Sequence, residues 1–295
     1  MSNVSLGIPG VEDVHTGTHL CALYSGPSER DGLVLPFLQE GLREGDKCLC
    51  LVDDVAPDTF RHQVEGPGRS TLPQRTDQLN IDVASSVYLQ AGEFSVDHMT
   101  SFLASSLSET TAEHFPLLRA AGEMSWVLPM PVGADDFFAY EAAVNDVVAG
   151  APAIFMCLYD LQQFSAQMLV DVLQTHPQVL LNHTVIDNPH YLTPSEYLAN
   201  RPRSDRMLAA PKDYPLANVP TESSRVEATD RWNSLTAGET RVAELVASGM
   251  TNRSIAEALT LSPHTVDAHL KHAYTKLDIH SRVELTVLAV QHLSL

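Results

Sequence analysis

Between residues 15 and 199, short apolar runs alternate with stretches of helical period. His19-Leu20-Cys21-Ala22-Leu23-Tyr24 precedes an amphipathic segment from Leu33 to Leu42 that stops at Gly45. Lys47-Cys48-Leu49-Cys50-Leu51-Val52-Asp53 is almost continuously apolar, the pattern of a strand covered on both faces. Further runs occur at Leu79–Val83, Leu117–Met124, Ala153–Tyr159 and Gln178–Leu181. Helical segments around Ser95–Thr111, Asp135–Val148 and Ser165–Thr175 separate most of them. This alternation predicts an α/β fold, a parallel sheet with helices on both faces.

Residues 200–234 carry no apolar periodicity. Arg201-Pro202-Arg203, Ala210-Pro211-Lys212, Tyr214-Pro215 and Val219-Pro220-Thr221 read as a linker partly extended by its prolines. From Leu235 onward the caps of four short helices are written out. Thr236-Ala237-Gly238-Glu239 is a capping box, with Val242, Leu245 and Val246 as the buried stripe and Gly249 as the stop. A second helix covers about Asn252–Leu259. Ser262-Pro263 supplies a cap and a first-turn proline for a third, which buries Val266, Leu270, Ala273 and Leu277. Ser281-Arg282-Val283-Glu284 is a second capping box that opens the last helix. Three units follow: 15–199, a linker over 200–234, and 235–295.

Composition sharpens this division. The net charge of −19 argues against a protein that coats nucleic acid along its whole surface. Residues 1–199 carry all of that excess. Residues 235–295 are nearly neutral and hold His264, His269, His272, His280 and His292. No run of eighteen apolar residues is present, and the first residues lack a basic segment followed by an apolar core. The expectation is a cytoplasmic protein with no membrane partner. Cys21, Cys48, Cys50 and Cys157 are too few and too scattered for a disulfide framework or a zinc finger.

Two short helices joined by a tight turn, the second capped by Ser-Pro, form a helix-turn-helix. The outer face of that second helix is polar: His264, Thr265, Asp267, Lys271, His272, Thr275 and Lys276. The stretch from Leu235-Thr236-Ala237-Gly238-Glu239 through Gly249-Met250-Thr251-Asn252-Arg253 and Leu261-Ser262-Pro263-His264-Thr265-Val266-Asp267 to Ser281-Arg282 closely resembles the LuxR-type DNA-binding domain. The resemblance implies that the third helix enters the major groove of double-stranded DNA and that the fourth pairs with its mate in a homodimer. It places base contacts on Asp267, Ala268 and Lys271. Phosphate contacts fall at the cap Ser262 and its neighbours His264 and Thr265, together with Lys276, and His272 is a further DNA-binding candidate on the same face. Aspartate at 267 departs from the frequent lysine, and it either accepts from a cytosine amino group or stays neutral to binding.

The body resembles the MEDS sensory domain, found in regulators of methanogens and methylotrophs and in many actinobacterial regulators. The resemblance is carried by His19-Leu20-Cys21-Ala22-Leu23-Tyr24, Phe37-Leu38-Gln39-Glu40-Gly41-Leu42, Gly45-Asp46-Lys47 and Arg119-Ala120-Ala121-Gly122-Glu123-Met124-Ser125-Trp126. Tyr140-Glu141, Cys157-Leu158-Tyr159-Asp160, His176-Pro177 and Asn188-Pro189-His190-Tyr191 extend it. It implies a RecA-like three-layer domain with a degenerate phosphate loop. That loop, Tyr24 to Asp31, lacks the Gly-Lys-Ser/Thr ending and carries Glu29 and Asp31, so ATP is not expected to bind or be hydrolysed.

Ligands of open α/β sheets gather outside the strand carboxyl ends, which makes Tyr24, Glu123, Trp126, Tyr159 and Asp160 candidates for an effector site. The resemblance also implies that His19, Cys21, Cys157 and His176 coordinate a transition metal or line a ligand pocket. Thiolate and imidazole together suit zinc, copper or iron. Against this stands the plain alternative that buried cysteines are small hydrophobes and that His176 caps its helix. The expected protein is a one-component, non-enzymatic transcription regulator in which a small effector or metal controls DNA binding, with RNA polymerase as a further partner. An enzyme domain tethered to DNA and a regulator controlled by a protein partner are the alternatives.

Overall fold

A computed structural model describes residues 2–66, 77–90, 92–129, 134–164, 166–181, 183–200, 231–248, 250, 252–279 and 282–293. Most of the predicted linker, residues 201–230, lies outside the described residues, as do Gly249 and Ser281 of the predicted helix ends.

A small hairpin, β1 (Asn3–Val4) with β2 (Val14–His15), leads into the first core strand, β3 (Thr18–Tyr24). Next come α1 (Pro27–Glu44), β4 (Lys47–Val52), α2 (Pro57–Glu65), β5 (Leu79–Val83), α3 (Ala84–Tyr88), a hairpin of β6 (Leu89–Gln90) and β7 (Glu93–Phe94), and α4 (Val96–Ala112). The body closes with β8 (Leu118–Glu123), α5 (Ala134–Val148), β9 (Ala153–Asp160), α6 (Ala166–Thr175), β10 (Gln178–Leu181), β11 (Thr184–Asp187) and α7 (Pro194–Asn200). All six apolar runs are strands. Helix α1 starts at Pro27, six residues before the amphipathic stretch at Leu33, because Pro27 supplies a preset first turn. It ends where expected, with Gly45 left-handed at φ 83°.

The seven-stranded sheet has the order β11-β10-β3-β9-β8-β4-β5. Its strands are parallel except β11, which runs antiparallel to β10. The expectation of a wholly parallel sheet is thus corrected to a mixed one. The pleat sorts side chains into two cores. Leu20, Ala22, Cys48, Cys50 and Met156 face α1 and α2, while Cys21, Leu23, Leu118, Phe155 and Cys157 face the opposite side, where α4, α5 and α6 pack.

Gly41 of α1 explains part of the Phe37–Leu42 motif. Its bare Cα leaves room for Arg119, which is fully buried, donates through Nε to Asp46 Oδ2 at 2.7 Å and through Nη1 to the Ser5 carbonyl at 2.8 Å. The guanidinium also lies over the Phe37 ring. A core glycine, a buried arginine and the aspartate after Gly45 thus form one packing unit that fastens the N-terminal segment to the sheet.

The tail comprises α8 (Ala237–Ala247), α9 (Asn252–Leu259), α10 (Pro263–Leu277) and α11 (Arg282–Leu293). The capping box at Thr236 and Glu239 is formed, and Ser262 caps α10 through the Thr265 amide at 3.0 Å. Helix α8 ends at Ala247, two residues before Gly249. Arg282 ties the tail together: it donates to Asn252 Oδ1 at 2.7 Å and to the Met250 carbonyl. Helix α11 packs on α8 and also on α6 of the body, so the core on the α5–α6 side of the sheet continues into the tail.

Candidate functional site

The sheet face under α5 and α6 gathers four chemically active side chains. His19 lies on β3, Cys157 on β9, Glu141 on α5, and His176 directly follows α6; the first, third and fourth are wholly buried and Cys157 nearly so. One ligand atom from each lies within 4.8 Å of every other. His19 Nε2 is 3.3 Å from Cys157 Sγ and 3.5 Å from Glu141 Oε2, and His176 Nε2 is 3.0 Å from the same carboxylate oxygen.

Two neighbours fix the imidazoles. Asn145, one turn after Glu141, donates through Nδ2 to the carbonyls of Thr175 and Ala142 at 2.8 and 3.1 Å, which turns its Oδ1 toward His19 Nδ1 at 3.2 Å. An oxygen acceptor there requires the proton on Nδ1 and leaves Nε2 with its lone pair. His176 Nδ1 faces the Val172 carbonyl at 2.8 Å, with the same result. Both carboxylate oxygens of Glu141 and Nε2 of His176 are buried without a partner in hydrogen-bonding geometry.

The electrostatics of these groups are coupled. Burial works to raise the Glu141 carboxyl, but its contacts with His176 and His19 outweigh this and hold it at about 2. Burial, then the charge of His176, pushes His19 down. Burial, then Glu141, pushes the Cys157 thiol up.

Of the four residues expected to form this centre, the structure brings together His19, Cys157 and His176. Cys21 is in register with Cys157 on the neighbouring strand, yet its thiol is turned to the Gln178 carbonyl at 3.8 Å, outside the cluster. Glu141 takes the fourth place. The sequence carries two signals for it, a lone carboxylate in the apolar stretch Phe137–Val144 and the Tyr140-Glu141 pair of the MEDS resemblance.

The five effector candidates do not form one pocket. Strand alternation puts Tyr24, Glu123 and Asp160 toward α1, and Trp126 and Tyr159 into the core on the other side. Glu123 is matched internally: Arg30 Nη1 donates to Oε1 at 2.7 Å, and the Asp53 and Asp54 amides donate to Oε2. Burial nonetheless pushes its carboxyl up against these partners. Trp126 stacks on Tyr88 at 4.3 Å with Phe94 and Phe137 around it, an aromatic core. Tyr159 meets the His176 ring edge-on at 5.7 Å.

The loop at the start of α1 is stoppered by carboxylates of the chain itself. Glu29 folds back to accept from the Ser25 amide at 2.8 Å, and Asp160 Oδ1 accepts from the Gly26 and Gln162 amides at 3.4 and 2.9 Å. The amides that would cradle a phosphate are therefore partly engaged.

On the tail, α10 presents His264, Asp267, Ala268, Lys271 and His272 to solvent, with Ser262 exposed at its cap and Thr265 half-buried beside it. Asp267 accepts from Asn252 Nδ2 at 3.1 Å and lies 3.9 Å from Lys271 Nζ. Lys276 is held by Glu239 at 2.6 Å, so its ammonium already has an anionic partner within the tail. Where body and tail meet, His190 Nε2 is 3.1 Å from Thr286 Oγ1. Leu23, Leu173, Leu181 and Ile186 of the body line an apolar cleft with Val246 of α8.

Comparison with known proteins gives two matched regions. The family described as MEDS, the methanogen/methylotroph, DcmR sensory domain, matches residues 18–177, and bacterial regulatory proteins of the luxR family match residues 233–289. The transcriptional repressor DcmR of Methylorubrum extorquens is 26% identical over 179 residues, spanning 56% of this chain and 60% of that protein. A putative HTH-type transcriptional regulator, Rv0890c of Mycobacterium tuberculosis, is 50% identical over 54 residues, which is 18% of this chain and 6% of that protein. The chain therefore spans less than two thirds of the length of either relative. The solved response regulator StyR aligns over 82% of this chain at 17% identity with a TM-score of 0.23, too low to bear on the fold.

Proposed function

Since this chain belongs to the MEDS family of sensory domains and ends in a LuxR-type helix-turn-helix, we propose that it is a one-component transcription regulator. Residues 15–199 sense a small effector or a metal, 200–234 connect, and 235–295 bind double-stranded DNA as a homodimer. The observation that carries this reading is the seat of α11. The helix that a LuxR-type tail uses for pairing is packed on α6 of the body and bonded to it through Thr286 and His190. A signal that shifts α6 changes how available that helix is, which couples sensing to DNA binding by differential affinity for two arrangements.

The centre of His19, Glu141, Cys157 and His176 is the sensing site in this reading, because His176 directly follows the last residue of α6. The strand order β10-β3-β9-β8-β4, with the loop after β3 leading into α1, supports a RecA-like ancestry with a degenerate phosphate loop. Self-engagement of that loop by Glu29 and Asp160 supports a non-enzymatic body that neither binds nor hydrolyses ATP. Lys271 and His272 are the exposed cationic or titratable groups assigned to DNA, with Ser262, His264 and Thr265 at the phosphates and Ala268 against a base. Asp267 instead organises Asn252 and Lys271. RNA polymerase is the downstream partner and the cytoplasm the place of action. Among the described residues no helix is long and apolar enough to cross a membrane.

The test is Ile186→Glu in the full chain, a change on the body side of the seam that leaves the tail sequence intact. With native circular dichroism retained, the variant shows a larger dimer fraction and tighter operator binding in gel shifts. Unchanged or weaker binding by a folded variant rejects control through this contact.

A further inference from the structure

Hydrogen-bond accounting at the His19 cluster leaves it one cation short. Both imidazoles spend their Nδ1 protons on outer acceptors, Asn145 Oδ1 and the Val172 carbonyl, so their Nε2 lone pairs point inward. What they face is a carboxylate, which also only accepts, at 3.5 and 3.0 Å. Two lone pairs against an acceptor in a dry interior repel unless a cation, either a proton on one Nε2 or a metal ion, lies between them. A single thiol proton, on Cys157, cannot serve them all.

We propose that His19 Nε2, His176 Nε2, a Glu141 carboxylate oxygen and the Cys157 thiolate hold one divalent transition-metal ion of the zinc class. Spacing fits this assignment. A tetrahedral ion with bonds of about 2.0–2.3 Å sets its ligand atoms about 3.3–3.8 Å apart. Three of the six separations, at 3.0, 3.3 and 3.5 Å, lie close to that edge length, and all six fall within 4.8 Å. Charge fits as well: a dication with one carboxylate and one thiolate is neutral overall, the state a buried site favours. The Cys157 proton leaves to solvent when the ion enters. The outer contacts of both imidazoles are of the kind that orient metal-binding histidines. Four protein ligands and near-complete burial leave no open coordination position, so the ion is structural or regulatory and not hydrolytic. Cys21 has no part in it.

That the ion governs the tail rests on the function proposed above; its presence does not. The test uses the full chain, purified without chelator for elemental analysis, then stripped and titrated with Co(II). Expected are about one metal per chain, visible bands of tetrahedral cobalt, and a near-ultraviolet thiolate-to-cobalt band. Cys157→Ser removes the near-ultraviolet band, and Cys21→Ser keeps it. Asn145→Ala, which frees the His19 ring, lowers metal affinity about 10–100-fold. Absence of bound metal together with absence of a tetrahedral cobalt spectrum in the wild-type chain overturns the site, whatever the variants do. So does a thiolate band that survives Cys157→Ser and vanishes in Cys21→Ser. If metal binds as described and operator affinity is the same with and without it, the site stands and metal control of the tail is rejected.

Discussion

His190 of the body and Thr286 of the tail are hydrogen-bonded, with Nε2 3.1 Å from Oγ1, and the same imidazole is held at about 4 by burial and then by the charge of Arg282. An unconstrained histidine titrates near 6.5. The docked arrangement thus prefers the neutral ring. This contribution is complete above pH 6.5 and is lost as the pH falls through 4. Lowering the pH from 7.5 to 5 is expected to loosen the tail from the body, read as a larger radius of gyration by X-ray scattering. His190→Gln, which keeps a polar group without the titration, should flatten that response between pH 7.5 and 5.

Gly41 admits no side chain. A Cβ built there lies 2.5 Å from Arg119 Cδ and 2.7 Å from Cys48 Sγ, both in a filled core. Gly41→Ala is expected to destabilise the body by about 1–3 kcal/mol through overpacking. Urea denaturation at unchanged slope measures it, and a midpoint equal to wild type would contradict this packing unit.

Much of the fold was legible because its signals are local. The caps at Thr236, Ser262 and Gly45 involve residues within a few positions, and the apolar runs at Lys47–Val52 and Ala153–Tyr159 need only their own composition. The sites were less so, because their partners are remote. Arg30 meets Glu123 across 93 positions, and the sequence shows the buried carboxylate without saying what answers it. Strand alternation separates Tyr24 from Tyr159 only once β3 and β9 are paired in register, Leu20 with Met156 and Cys21 with Cys157, and neither strand's own pattern carries that register. Cys21 has the right parity for the centre, but its thiol is turned to the Gln178 carbonyl at 3.8 Å, a partner 157 positions away.

Glu239 performs two tasks in the tail, closing the Thr236 capping box and holding Lys276 at 2.6 Å. Burial works to raise its carboxyl, but Lys276 and the Thr236 bonds hold it at about 2. Its stabilising share is present above the ordinary carboxylate value of about 4.3 and disappears as the pH falls toward 2. Acid unfolding of the tail, followed by helical ellipticity, should therefore begin below about pH 4.3, and Glu239→Gln should make that onset shallower while lowering stability at pH 7.

Lys271 stands on the solvent side of α10, with Asp267 3.9 Å from its ammonium. Lys271→Ala should weaken operator binding by about 1–3 kcal/mol if it reads a base. If it meets a phosphate instead, the logarithmic salt slope should fall by about 1. A titration over salt separates the two outcomes. Affinity and slope both equal to wild type would remove Lys271 from the interface.

Helix α6 borders both the His19 centre, through His176, and the seam with α11. It has ten residues, and at 1.5 Å each it is about 15 Å long. A message passing along it requires no segment to fold and no bond to isomerise. Adjustments of packed helices take microseconds to milliseconds. The centre itself is sealed, with His19, Glu141 and His176 wholly inaccessible. In the proposed reading, where this centre is the sensor, the latency of the response is set at the input, by how often the body opens enough to admit or release its signal. A regulator built on that reading would report sustained conditions and filter out brief ones.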